Sequence, residues 1–206
     1  MLCLGAHADD IEIGCGGTII SLLKRYPQSQ VYWVVLSAHG ERAEEAQASA
    51  EKLLRNAAAK EIVTRDFRES FFPYVGERIK EYFEQIKGEC SPDLVLTHYR
   101  SDLHQDHRLV SELTWNTFRG HFILEYEIPK YDGDLGSPNT FVPLPEATCR
   151  EKVQHIVDAF KSQRYRTWFD PETFMGLLRL RGVECGAPTR YAEAFYGRKV
   201  VVGLTG

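Results

Sequence analysis

The run Val31–Leu36, VYWVVL, constrains this chain more than any other stretch. Neighbouring side chains of a strand point to opposite faces, so an unbroken apolar run cannot keep one face in water. It suits a strand buried on both sides, as in a parallel sheet covered by helices. The flanking segments agree. Met1–Gly5, Leu94–Thr97 and Phe122–Ile128 read as further strands, and Glu61–Val63 as a short one. Thr18–Lys24 and the Ala-, Glu-, Lys- and Leu-rich Arg42–Ala59 read as helices. Val75, Ile79, Tyr82, Phe83 and Ile86 share one helical face, and Val110, Leu113 and Thr117 mark another helix. Strands alternating with helices predict an α/β fold of three layers around a mainly parallel sheet.

The last third departs from this rhythm. Pro129–Pro145 is rich in Gly and Pro and reads as loop. A helix follows with Cys149, Val153, Ile156, Val157 and Phe160 on one face, then a helix over Phe174–Leu180 and a strand over Lys199–Val202. No repeat or Gly/Ser linker interrupts the chain. The expectation is one domain over residues 1–206, with a loop-rich C-terminal extension that frames a pocket.

Composition narrows the function classes. With 206 residues, 43% hydrophobic and 26% charged, the chain is that of a globular protein. No apolar run approaches the ~18 residues that span a bilayer. A net charge of −4 without a Lys/Arg cluster argues against a nucleic-acid partner. Five scattered cysteines with no Cys-x-x-Cys pair argue for a reducing compartment and against a thiolate zinc site. The start carries no basic segment followed by a long apolar one, so a cytoplasmic location is expected. A homo-oligomer is left open.

Chemistry concentrates in two clusters, each directly after a predicted strand. At the carboxyl edge of an α/β sheet such loops hold ligands. The first is Ala6-His7-Ala8-Asp9-Asp10-Ile11-Glu12. A His beside carboxylates is a nitrogen/oxygen ligand set for zinc. Adjacent side chains diverge, so one Asp can bind a metal while the other faces a substrate. The second cluster is His98-Tyr99-Arg100-Ser101-Asp102-Leu103-His104-Gln105-Asp106-His107-Arg108. His104 and His107 are three apart and, at a helix start, can face one cavity. Asp106 could instead cap that helix, which accounts for one Asp and none of the histidines. A shared metal site is the reading that uses both clusters.

Other features weigh less. Gly14-Cys15-Gly16-Gly17 fails the dinucleotide pattern, which would need Gly at Ile19, and reads as a tight turn into the following helix. Cys15 reads as a small buried thiol. His39 ends a strand and could enter the pocket, whereas His121 and His155 read as structural or exposed. Arg42 and Glu45, one turn apart, could reach the site or form a solvent-facing pair. Arg164, Arg166 and Trp168 could receive a phosphate and a sugar face, or be plain surface.

The chain resembles the LmbE/PIG-L superfamily of zinc-dependent N-deacetylases. Its signature Ala-His-Pro-Asp-Asp-x-Glu stands here as Ala6–Glu12, and His-x-Asp-His as His104–His107. The likeness runs through the Gly-rich stretch, Arg42/Glu45, Tyr126–Pro129 and Tyr191-Ala192-Glu193-Ala194-Phe195. Ala8 replaces the usual Pro, which costs rigidity but no ligand. The short segment before His7 means either that the numbered chain begins late or that its first strand is brief.

The resemblance implies a Rossmann-like fold and hydrolysis of an N-acetyl group on a glucosamine-type sugar or conjugate. It further implies His7, Asp10 and His107 as ligands of Zn2+, with Fe2+ or another divalent metal also suited to two His and a carboxylate. Asp9 would be the general base, His104 the oxyanion donor, and Asp106 the residue orienting His104. Arg42 is the substrate-binding candidate. Two alternatives stand beside this reading: a zinc hydrolase of a non-sugar amide, and a non-catalytic sugar- or nucleotide-binding domain.

Overall fold

The computed structural model describes residues 1–201. Its elements run β1 (Leu2–His7), α1 (Asp10–Arg25), β2 (Gln30–Ser37), α2 (Glu41–Leu53), β3 (Ala59–Thr64), α3 (Gly76–Glu89) and β4 (Leu94–His98). They continue with α4 (Gln105–Thr117), β5 (Phe122–Tyr126), β6 (Thr140–Leu144), α5 (Glu146–Ala159), α6 (Pro171–Glu184) and β7 (Tyr191–Tyr196). The strands form one sheet in the order β3-β2-β1-β4-β5-β7-β6. The first five are parallel, while β7 runs antiparallel to both β5 and β6.

Two cores, one on each face, follow from strand alternation. Cys3, Trp33, Val35, Leu96 and Leu124 meet the apolar faces of α1, α2, α5 and α6. Leu2, Leu4, Ala6, Val34, Leu36 and Val95 point the other way, onto α3 and α4. The expected three-layer α/β fold is what forms. β1 spans six residues, one more than β4 or β5, pairs with β2 and β4 and is buried throughout. The chain proceeds outward from β1 through β2 and β3, then restarts on the other side of β1 with β4. That reversal opens a crevice at the carboxyl ends of β1 and β4.

Three expectations are corrected. The helix expected over Thr18–Lys24 begins eight residues earlier, at Asp10, so Gly14, Gly16 and Gly17 lie within it and form no turn. The loop-rich segment contains an edge strand, β6, which tolerates Pro143 because it pairs on one side only. The final strand is Tyr191–Tyr196; residues 199–201 are not in a strand, and Val202 lies outside the described residues.

A buried ion pair is threaded into α1. Lys152 Nζ, from α5, donates to the carbonyl of Ile13 at 2.6 Å and to Glu193 Oε1 at 2.6 Å. Glu193, from β7, accepts the amides of Gly17 at 2.8 Å and Thr18 at 2.6 Å. Ile13 C=O and Gly17 N–H are partners in an ordinary i→i−4 ladder, so a lysine and a glutamate from distant segments serve the middle of this helix.

Candidate active site and metal centre

Both chemical clusters arrive at the crevice. His7 is the last residue of β1, and Asp10 opens α1, where its Oδ2 accepts the backbone N–H of His7 at 2.6 Å. A carboxylate in the first turn suits the positive end of the helix. From the β4–α4 loop, His104 caps α4 by accepting the N–H of Asp106 on Nδ1 at 3.3 Å, so the cap is His104 and not Asp106.

Outer carboxylates set the tautomers of the two inner histidines. Asp106 Oδ2 lies 3.2 Å from His7 Nε2, leaving Nδ1 of His7 facing inward. Asp102 Oδ2 lies 2.9 Å from His107 Nδ1, leaving Nε2 of His107 facing inward. These two inner nitrogens are 3.1 Å apart. Asp10 completes a triangle, with its oxygens 3.4 Å from His7 Nδ1 and 3.5 Å from His107 Nε2. A tetrahedral zinc with bonds of about 2.0–2.2 Å separates neighbouring donors by roughly 3.4 Å. The donor set and its spacing fit a divalent cation.

Other triads share His107: His7 with His104, and Asp10 with His98, each with donor atoms within 4.8 Å of one another. In both, the additional histidine has a lone pair already used. His98 Nε2 accepts the Ala6 N–H at 3.0 Å, and its ring stacks on His107 at 4.0 Å. His104 Nδ1 is used by the cap, so its Nε2–H is the free donor.

The charges are tuned by burial and by neighbours. Burial, reinforced by the Asp10 charge, pushes the Asp9 carboxyl up to about 6 in spite of Arg42. Asp9 Oδ2 is buried without a hydrogen-bond partner among the described residues, and its Oδ1 lies 3.7 Å from Arg42 Nη2. Burial opposes protonation of His7, but Asp10 and Asp106 override it and raise His7 to about 10; a bound cation would replace that proton. Burial works against ionisation of Asp10, yet the histidines around it hold its pKa well below the usual carboxylate range. Burial depresses His107 to about 3 and, with the nearby His7 charge, also lowers His104, so His104 is a neutral N–H donor.

The structure brings His7, Asp9, Asp10, His104, His107 and Arg42 to one cleft of about 130 Å³. Arg166 and Trp168 also line it, while Arg164 turns away to the carbonyl of Val157. Arg42 pairs with Glu69 at 2.7 Å, and Glu45 binds Ser162 instead of Arg42. Asp106 departs from its expected place: its carboxylate holds His7 and the amides of Ser70 and Phe72, and only its backbone meets His104. His39 is exposed, and buried His155 bonds to Ser49 at 2.8 Å. A larger hollow of about 860 Å³ lies at the amino ends of the strands, around Met1, Gln30 and Asp93, away from both donor clusters.

Asp102, Lys130, Glu69 and the buried His98 join the site without having been singled out. Asp102 and His98 belong to the second cluster, so spacing alone flagged their neighbourhood. Nothing in the sequence marks Glu69 or Lys130, which arrive from other loops.

The sequence matches the PIG-L family, described as GlcNAc-PI de-N-acetylase, over residues 2–118. The chain belongs to that family. The fold is shared with a conserved protein, TT1542, from Thermus thermophilus, at TM-score 0.73 and 19% identity over 98% of this chain and 96% of that one. N,N'-diacetylchitobiose deacetylase from Pyrococcus horikoshii aligns at TM-score 0.62 and 20% identity, covering 94% and 81% of the two chains. GalB, a 4-carboxy-2-hydroxymuconate hydratase from Pseudomonas putida KT2440, aligns at TM-score 0.70 and 18% identity over 99% and 98%. One fold therefore carries more than one reaction, and the site must decide between them.

Proposed function

We propose that this protein is a zinc-dependent hydrolase that removes the N-acetyl group from an N-acetylglucosamine-type sugar or sugar conjugate. One observation carries the reading: the inward donor triangle of His7, Asp10 and His107 stands beside Asp9, a buried carboxylate with an unpartnered oxygen. A divalent cation held by those three residues would supply Lewis acidity and bring a water's pKa down to about 7. Family membership and the sugar deacetylase among the structural neighbours support the substrate class.

The chain's own groups then have distinct tasks. Asp9 takes a proton from the attacking water and returns it to the departing amine. Its elevated pKa suits a group that must both accept and release a proton near neutrality. The Nε2–H of His104 donates to the oxyanion of the tetrahedral intermediate. Asp106 positions His7, and Arg42, held by Glu69, faces the substrate side of Asp9.

The test is acetate release by the zinc-loaded protein from free and conjugated N-acetylhexosamines beside non-sugar acetamides. Turnover confined to the sugars supports the reading. Acetate from the simple amides alone moves the assignment to a non-sugar amidase. No release from any of them overturns the deacetylase reading.

A further inference from the structure

Building on the metal reading, we propose that Asp102 is a positioning residue of the metal centre and that Lys130 fixes Asp102 in place. The Asp102 side chain is almost wholly buried, and its two oxygens have separate tasks. Oδ1 accepts the backbone N–H of His104 at 2.8 Å. Oδ2 accepts His107 Nδ1–H at 2.9 Å and the ammonium of Lys130 at 3.0 Å. One carboxylate thus orients a metal-facing imidazole and also anchors the segment that presents the oxyanion donor.

Lys130 comes from the loop between β5 and β6, far in sequence from either cluster. Its ammonium is buried between Asp102 and Asp134, the latter at 2.5 Å, with Asp132 at 3.9 Å. Asp134 in turn accepts the N–H of Leu103 at 2.7 Å. Although Lys130 lines the cleft, its charge is taken up by these carboxylates, so it is not a free cation for a substrate. It ties the wall of the cleft to the β4–α4 loop, which ends at His104 just before His107 in the first turn of α4.

The consequence concerns how tightly the centre holds a cation. An amide at position 102 cannot accept from all three N–H donors around it: it must turn its NH₂ toward Lys130 and His107 or give up His104. Loss of a carboxylate behind a metal-binding histidine typically weakens metal affinity by about 10- to 100-fold.

The measurement is the zinc Kd of the full chain by competition with a chelator, with the visible spectrum of the Co(II) form as a report on coordination. Asp102→Asn is expected to raise Kd by about 10- to 100-fold and to alter the Co(II) spectrum, and also to lower the metal-free melting temperature, because the buried Lys130 ammonium loses a carboxylate. Lys130→Met is expected to raise Kd less. The double variant should bind no more weakly than Asp102→Asn alone, because Lys130 acts through Asp102. An unchanged Kd in Asp102→Asn overturns the proposal, as do additive effects of the two substitutions. If Asp102→Asn does not fold, Lys130→Met decides: an unchanged Kd counts against the proposal. A wild-type chain that binds no divalent metal defeats the metal reading itself and this inference with it.

Discussion

The ring of Tyr126 lies against the backbone of Gly14 so closely that a Cβ on Gly14 would stand 2.1 Å from Tyr126 Cδ2. Tyr126 is fully buried, and its hydroxyl donates to the carbonyl of Leu4 at 2.6 Å, pinning α1, β1 and β5 together. Helix propensity favours Ala over Gly by about 0.5–1 kcal/mol in a helix interior. At Gly14 overpacking outweighs that gain, at a cost of about 1–3 kcal/mol or more. Gly14→Ala should therefore lower the melting temperature by several degrees. Gly16→Ala, two residues on, meets Lys152 Cγ at an ordinary 3.6 Å and should be neutral or slightly stabilising. Thermal denaturation of the pair checks this, and an equal response at both positions would show that Tyr126 does not control the site.

The adjacent carboxylates should divide their labour. Asp9→Asn keeps the shape but removes the base, so metal content should persist while the rate falls by a factor on the order of 10² to 10⁴. Asp10→Asn should lose metal, with activity partly restored by added zinc. Metal analysis and acetate release on both variants decide the matter, and the reverse pattern exchanges the two roles.

The pH profile follows from Asp9, which must be ionised to accept a proton. Its carboxyl lies at about 6, pushed up by burial and by Asp10, and a neighbouring cation can only lower it. Activity should rise with pH along an acid limb at or below about 6 and then level off. An acid limb above pH 7 in kcat/KM would assign the base to another group.

Glu12 should make stability pH-dependent without touching catalysis. Burial raises it to about 8, against the opposing hydrogen bond from Ser49 at 2.5 Å. The folded state therefore prefers the neutral acid. Its contribution is complete below the unfolded pKa near 4.5 and is lost as pH climbs through about 8. Relative to Glu12→Gln, the wild type should lose stability steadily between pH 5 and pH 8. Melting curves at the two ends measure the difference, and parallel curves would mean that Glu12 is ionised throughout.

What could be read in advance, and what could not, divides along physical lines. Val31–Leu36 reads as a doubly buried strand because an unbroken apolar run leaves neither face for water, and the two His/Asp clusters do converge on one cleft at the ends of two strands. The glycines of α1 misled because glycine normally breaks helices. Two of them answer to partners from far along the chain, Gly14 to Tyr126 and Gly17 to Leu144 with Glu193. Pro143 concealed β6 for a similar reason, since an edge position excuses it. Asp106 reads in the sequence as the partner of His104, but its carboxylate meets His7 and the amides of Ser70 and Phe72 instead, contacts that local spacing does not reveal. Lys130 carried no local signal, because a lysine between three carboxylates exists only once the β5–β6 loop has folded over the site.

The Lys152–Glu193 pair inside α1 bears on the order in which this protein can mature. His7, Asp10 and His107 have all been synthesised by position 107, yet the helix that aims Asp9 and Asp10 draws its central partners from positions 152 and 193. A nascent chain holding every donor still lacks the lysine and glutamate that complete that helix. A fragment cut before Glu193 would carry His7, Asp10 and His107 without the contacts that Lys152 and Glu193 make to the middle of α1, and on the proposed metal reading it should bind a cation more weakly than the full chain.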